Sequence, residues 1–208
     1  MVLVLTIGDL HIPNRVAAVP LKFRELLVPG KIQRVLCTGN LCDKETEEFL
    51  KVICPEIQIV KGDMDDVQSE YPERCVTNVG QLSFGLCHGH QLIPWNDPNS
   101  LASLRRFAWR IILFNLAYSK HRDMGVDVLV VGHSHSLKMT ETVDGGLIID
   151  PGTATGAPVA YSLEPKRPSF VLLDVQGTKI IAYTYEIYGE DIKVDRVVFE
   201  RLANTTFQ

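Results

Sequence analysis

Val2-Leu3-Val4-Leu5-Thr6-Ile7-Gly8-Asp9-Leu10-His11 stands near the start of the chain, and its reading decides the fold. The first six residues are nearly all apolar or β-branched, as expected of a strand buried on both faces. The run stops abruptly at Gly-Asp-Leu-His. That places a carboxylate and an imidazole at the C-terminal end of the strand, where ligands of open α/β sheets gather. No basic segment and no small-residue cleavage site accompanies the apolar run, so it reads as a first strand and not as a signal peptide.

The same pattern of apolar run, glycine and polar ligand recurs further along. Strands are predicted at Val2–Ile7, Arg34–Thr38, Ile57–Lys61, Leu82–Cys87 and Val126–Val131, then at Leu147–Ile149, Phe170–Val175, Ile180–Ile187 and Ile192–Phe199. Helical spacing separates the early ones, at Pro20–Leu27 and Asp43–Ile53. Asp43 suits an N-cap, and Glu45, Glu47 and Glu48 lie at the favourable end of the helix dipole. Asp144-Gly145-Gly146 signals a hairpin. These elements predict an α/β protein, a four-layer α/β/β/α sandwich formed by a single domain over residues 1–208. No internal repeat or low-complexity tract interrupts it.

Ser100 to His121 stands apart. Leu101, Leu104, Phe107 or Ala108, Ile111, Phe114 and Tyr118 follow helical spacing, while Trp109, Ile112, Leu113 and Leu116 fall outside the stripe. The expected helix is therefore apolar over more than one face. It either packs on the sheet edge or offers a docking surface.

Composition narrows the function classes. The net charge of −4 over 208 residues lacks the basic footprint of a nucleic-acid binder. Cys37, Cys42, Cys54, Cys75 and Cys87 are odd in number and form no CxxC pair. Reduced thiols and an intracellular compartment are expected, and a cysteine zinc site is not. No stretch reaches the roughly 20 apolar residues of a membrane span, so membrane association is expected only through partners.

Five short motifs close predicted strands: Gly8-Asp9-Leu10-His11, Gly39-Asn40-Leu41-Cys42-Asp43, Gly62-Asp63-Met64-Asp65, His88-Gly89-His90 and Gly132-His133-Ser134-His135. Each alone is weak, since a lone histidine is usually structural. The ordered set is specific. Carboxylates, an amide and imidazoles meeting at one sheet end suit Mn, Fe or Zn. The glycine before each ligand is expected to let the chain turn sharply. The set resembles the calcineurin-like metallophosphoesterase superfamily, in which two metals about 3.5 Å apart clamp a phosphate and activate a hydroxide. The resemblance implies first-metal ligands at Asp9, His11 and His135, a bridging ligand at position 40, and second-metal ligands at Asp63, His88 and His133. It gives His90 no fixed role.

Three positions depart from that pattern. Asn40 stands where the bridge is normally Asp, and its amide offers one neutral oxygen while its NH₂ cannot coordinate. Asp63 stands where the family has Asn, so formal charge is kept but moved off the bridge. Met64 replaces a histidine that protonates the leaving oxygen, a role worth typically about 10²–10⁴-fold. Asp65 or Asp66 would repel a phosphate dianion if it took over that role. A divalent ion, Zn or Mn, at weak or partial occupancy is the expectation.

Over nearly its whole length the chain resembles the small metallophosphoesterase-fold subunit of retromer. The residues that carry this are Gly8–Pro13, Leu27–Gln33, Leu36–Cys42, His88–Trp95, Pro151–Ala157 and Pro168–Leu172. The Asn bridge and a non-histidine at position 64 are habits of that subunit. The apolar segment at about 105–122 looks longer than the family needs. The resemblance implies a non-catalytic scaffold, cytoplasmic and peripheral on the endosome membrane, in endosome-to-Golgi retrograde transport. It places the metal-pocket face against a helical-solenoid subunit, with Ile93 and Trp95 in a loop beside it. It matches Leu172, Tyr183, Tyr185 and Val194 to an apolar patch that recruits regulators such as Rab GTPase-activating proteins. From the residues alone, Tyr183 and Tyr185 alternate on one strand and so share a face, which fits either an interface or a cover over core. The competing function is a two-metal phosphodiesterase or phosphatase. A structural metal without catalysis lies between the two.

Overall fold

Runs that are apolar on both faces need cover on both faces, and the structure supplies it with two packed sheets and helices outside them. The computed structural model describes residues 1–91, 97–107, 126–159, 162 and 164–201. In chain order the elements are β1 (Val2–Ile7), α1 (Leu21–Leu26), β2 (Arg34–Cys37), α2 (Lys44–Ile53), β3 (Ile57–Ile59), β4 (Arg74–Val79), β5 (Leu82–Cys87), α3 (Pro98–Phe107), β6 (Val128–Val131), β7 (Leu137–Glu141), β8 (Leu147–Pro151), β9 (Ser169–Gln176), β10 (Lys179–Tyr188) and β11 (Asp191–Glu200). One sheet has six strands in the order β11-β10-β9-β1-β2-β3, the other five in the order β4-β5-β6-β8-β7.

Alternation along the strands sorts the side chains into layers. Val4, Leu36, Phe84, Val128, Val130, Ile149, Val171 and Leu173 meet between the sheets. The alternate residues Leu5, Ile7, Val35, Cys37 and Phe170 pack with Phe23 of α1 and with Leu50 and Ile53 of α2. Cys87, Leu129, Val131 and Ile148 pack with Leu101 and Leu104 of α3. The order is thus α/β/β/α, as the sequence predicts. The α3 residues sit on the face of the five-stranded sheet and not on its edge. All five cysteines are free thiols. Among the described residues no helix is long and apolar enough to cross a membrane.

Local signals hold where expected. The Asp43 carboxylate accepts the Thr46 N–H at 2.7 Å and caps α2. Thr142 and Gly146 close the hairpin between β7 and β8, with Thr142 N–H to the Gly146 carbonyl at 2.8 Å. The sequence reading passes over β4 and β7. Both are edge strands, with polar residues such as Thr77, Asn78, Lys138 and Glu141 that blur the apolar run. The long helix begins at Pro98, two residues before its expected start. Asp97 accepts the Ser100 N–H at 2.7 Å, so Asp97-Pro98 is an N-cap followed by proline at the first helical position. The remainder of the expected helix, at 108–122, lies outside the described residues.

Arg105 ties α3 to the β7–β8 hairpin. It is only 5% exposed, donates to the Val126 carbonyl at 2.7 Å and pairs with Asp144. Its guanidinium lies over Gly146, where any Cβ would collide with it. Arg105→Ala leaves a buried carbonyl without a donor, at a cost of about 2 kcal/mol. The expected fall in Tm is roughly 4–8 °C for a chain of this size, readable by differential scanning calorimetry.

Candidate metal centre

The C-terminal ends of β1, β2, β3, β5 and β6 converge at one end of the sandwich and bring the five motifs together. Asp9, His11 and His135 form one group, and Asp63, His88 and His133 another. Within each group the potential ligand atoms all lie within 4.8 Å of one another. The first group is buried throughout. In the second, Asp63 is 37% exposed at its side chain and His133 14%.

Backbone strain is concentrated here. Among the described residues, the non-glycine positions with positive φ are Asp9, His11, Asn40, Cys42, His133 and His135. Asp, Asn and His tolerate this region better than most side chains, and strain of this kind gathers at functional sites. The expected role of the preceding glycines needs correcting. Gly39 and Gly89 do take positive φ, as expected, but Gly8, Gly62 and Gly132 do not, and after Gly8 and Gly132 the ligands Asp9 and His133 take it themselves. Gly8, Gly62 and Gly132 are required by close approach: a Cβ on Gly8 or Gly132 would collide with the Thr38 hydroxyl, and one on Gly62 with the Asn40 amide.

The imidazoles are oriented from behind. His88 Nδ1 lies 2.7 Å from the Thr38 carbonyl and His135 Nδ1 lies 2.7 Å from the Ala157 carbonyl. A carbonyl only accepts, so each Nδ1 carries the proton and each Nε2 points into the pocket. His11 Nε2 and His135 Nε2 are 3.0 Å apart. His135 Nε2 is 3.4 Å from Asp9 Oδ1, and His88 Nε2 is 2.9 Å from Asp63 Oδ1. A pair of buried imidazole nitrogens facing one carboxylate oxygen suits a divalent cation, so the residues fit a metal of the Zn or Mn class.

Charges in the pocket stabilise one another. Burial raises the pKa of Asp9, but His88 and hydrogen bonds from His11 and His135 outweigh it, and the carboxyl sits well below the usual range. Hydrogen bonds from His133 and His88 hold Asp63 well below it too. Burial opposes charge on His88, yet Asp9 and the bond to Asp63 push it up to about 9.

Position 40 is central. The Asn40 carbonyl oxygen accepts the Met64 N–H at 2.8 Å. Its NH₂ group therefore faces inward, 3.2 Å from Asp9 Oδ1 and 3.0 Å from Asp63 Oδ1. It also lies 3.4 Å from His11 Nε2 and 3.0 Å from His88 Nε2. Met64 is 41% exposed at the rim and has no proton to give. His90 sits beside the second group, its ring tilted against that of His88 at a centroid distance of 5.4 Å and edge-on to that of His133 at 6.2 Å.

Two contributors escape the sequence reading. Asp65 is buried and turned away from the pocket. Its carboxylate accepts four backbone N–H groups: Asn40 and Leu41 at 2.8 Å, Cys42 at 3.1 Å and Gly62 at 2.8 Å. It is thus fully engaged in holding two ligand loops and is not positioned as an acid. The 151–157 loop holds the first group. Thr153 Oγ1 donates to the Asp9 carbonyl at 2.7 Å, and Thr155 Oγ1 to the Leu10 carbonyl at 2.8 Å. In the sequence this segment carries only the family resemblance, with no role for the two threonines. On the Leu41 and Asp65 side opens a separate cleft of about 520 Å³, lined by Asp43, Lys44, Glu47, Asp66 and Glu70 among others but by none of the ligand candidates.

The proposed protein-binding residues divide. Leu172 pairs across the six-stranded sheet with Tyr183, and Tyr185 with Val194, so all four lie on one face. Tyr185 stacks on Phe170 with centroids 4.6 Å apart, and Phe170 meets Phe23 edge-on. Val194 is 48% exposed. Ile93 and Trp95 lie outside the described residues.

Residues 2–178 match the calcineurin-like phosphoesterase superfamily domain. The chain is 36% identical over 202 residues to vacuolar protein sorting-associated protein 29 of Schizosaccharomyces pombe, covering 96% of this chain and 98% of that one. It superposes on the crystal structure of Chaetomium thermophilum Vps29 with a TM-score of 0.84 at 35% identity, covering 97% of this chain and all of that one. For wild-type Entamoeba histolytica Vps29 complexed with Zn²⁺, the TM-score is 0.81 at 39% identity, with 95% and 99% covered.

Proposed function

Because this chain belongs to the calcineurin-like phosphoesterase superfamily and, within it, to the Vps29 family of retromer subunits in vacuolar protein sorting, we propose that it serves there as a non-catalytic scaffold. It caps a helical-solenoid subunit on the cytoplasmic side of the endosome membrane, which it reaches through partners. The observation that carries the reading is the pair Asn40 and Met64. The position that should bridge two metals presents an NH₂ group, and the position of the proton donor holds a thioether. The pocket holds Zn or Mn weakly through Asp9, His11, Asp63, His88, His133 and His135, with Asn40 a ligand only through its oxygen. When bound, such an ion neutralises the two carboxylates and ties the ligand loops together.

The intact ligand groups favour one competing reading, a metal-dependent phosphodiesterase or phosphatase, and the activity assay described in the Discussion decides between the two. The second binding face is the Leu172, Tyr183, Tyr185 and Val194 patch, proposed to recruit Rab GTPase-activating regulators. Aromatic side chains at such a face are common hot spots. The test is calorimetric titration of the purified chain with the C-terminal half of the solenoid subunit and, separately, with a regulator. A tight solenoid complex is expected, unchanged by Leu172→Glu with Tyr183→Ser. The same pair of substitutions weakens regulator binding by about tenfold or more. Absence of any solenoid complex would count against the scaffold reading.

A further inference from the structure

The Asn40 amide makes more contacts than a ligand substitution requires. Its NH₂ group touches Asp9 Oδ1 and Asp63 Oδ1. These are the same oxygens that face the imidazoles of each group: Asp9 Oδ1 lies 3.4 Å from His135 Nε2 and 3.6 Å from His11 Nε2, and Asp63 Oδ1 lies 2.9 Å from His88 Nε2. A donor held between two carboxylates supplies part of the positive potential that a cation would supply. The amide is also fixed in that sense. Its oxygen must face the Met64 N–H, and its outer side lies against Gly62, where not even a Cβ would fit. Turning it over to present the oxygen inward would set NH₂ against the Met64 N–H, donor against donor.

We propose that Asn40 is a built-in substitute for the metal. Its amide NH₂ cross-links the Asp9 and Asp63 carboxylates, keeps the pocket assembled without an ion, and competes with any divalent cation for both ligand groups. The inference rests on reading the pocket as the metal site of this fold, and is independent of any partner. It accounts for weak occupancy by a local device and not by a missing ligand. It also predicts that integrity of the fold and metal content are uncoupled in this chain.

The test exchanges the two residues, Asn40→Asp with Asp63→Asn, which keeps the formal charge and moves the carboxylate to the bridge. Wild type and exchange variant are titrated with Mn²⁺ by calorimetry, and their Tm values are read in EDTA and in Mn²⁺. Wild type is expected to melt within about 2 °C in the two conditions, a shift that corresponds to near-equal folded-state free energies at this size. The exchange variant binds Mn²⁺ about 10²-fold more tightly, an effect at the upper end of what an outer partner of a ligand contributes. It gains about 5–10 °C from the ion at a hundredfold excess over Kd. If the exchange variant does not fold, Asn40→Ala carries the test: with the cross-link gone, its Tm in EDTA falls below wild type and Mn²⁺ recovers part of the loss. A wild-type Tm that collapses in EDTA, or equal Mn²⁺ affinity in wild type and the exchange variant, would overturn the substitute role. Failure of either variant and of wild type to take up Mn²⁺ at all would overturn the metal reading of the pocket together with this inference.

Discussion

Replacing Asp65 by alanine is expected to lower stability by about 4 kcal/mol or more and to remove divalent-ion binding altogether. The Asp65 carboxylate is 8% exposed and accepts the N–H groups of Asn40, Leu41, Cys42 and Gly62. Each buried donor left without an acceptor costs roughly 1–3 kcal/mol, and bonds to a charged acceptor are the stronger kind. Relaxation will let water reach some of the four, so the sum is less than additive. At roughly 2–4 °C per kcal/mol for this size, Tm falls by about 8–16 °C. The functional loss follows from place: Asn40 and the turn carrying Asp63 both hang on this one side chain. Asp66→Ala is the control. Asp66 is exposed and its carboxylate accepts only the Gln68 N–H among the hydrogen bonds described, so its loss stays within about 1 kcal/mol. Denaturant unfolding of the two variants compares them directly, and an Asp65→Ala protein as stable as Asp66→Ala would show that the four bonds are not what holds the loops.

The second large effect is a gain. With Mn²⁺ in excess, the wild-type chain is expected to hydrolyse bis-p-nitrophenyl phosphate no faster than background. Met64→His combined with Asn40→Asp is expected to raise the rate by about 10²–10⁴-fold, the worth of a positioned acid or base. Met64 is well placed for the change, being at the open rim directly after Asp63. Met64→His alone gains little, because the Asn40 NH₂ still lies between the carboxylates. Turnover of about one per second by the unmodified protein, within the ordinary enzyme range and abolished by His88→Ala, would reverse the assignment in favour of a working phosphoesterase.

The sequence carries much of this, for physical reasons that differ by residue. β1, β5 and β6 are legible because strands covered on both faces have no polar side to interrupt them. Asp43 is legible as a cap because its partner is three residues away. β4 and β7 are not, because polar residues such as Thr77, Asn78, Lys138 and Glu141 break up their apolar run. The ligand set is legible as an ordered series, since each ligand follows its own strand. The supports behind it are not. Asp65 sits among other acids, and only tertiary contact reveals which of them turns inward. Thr153 and Thr155 act across 144 and 145 residues of sequence. The orientation of the Asn40 amide is set by a backbone N–H, which no residue identity announces.

Those long separations have a kinetic consequence. The pocket draws on both sheets: Asp9 takes the His133 N–H across 124 residues and gives its own carbonyl to Thr153 across 144. Closing such loops is entropically late compared with local helix and hairpin formation. The ligand groups therefore come into being only after the two halves of the chain have docked, and a nascent chain still short of the 151–157 loop carries the ligands without the pocket. Divalent-ion uptake, followed in real time during refolding, should lag behind the recovery of secondary structure and mark the final sealing of the sandwich.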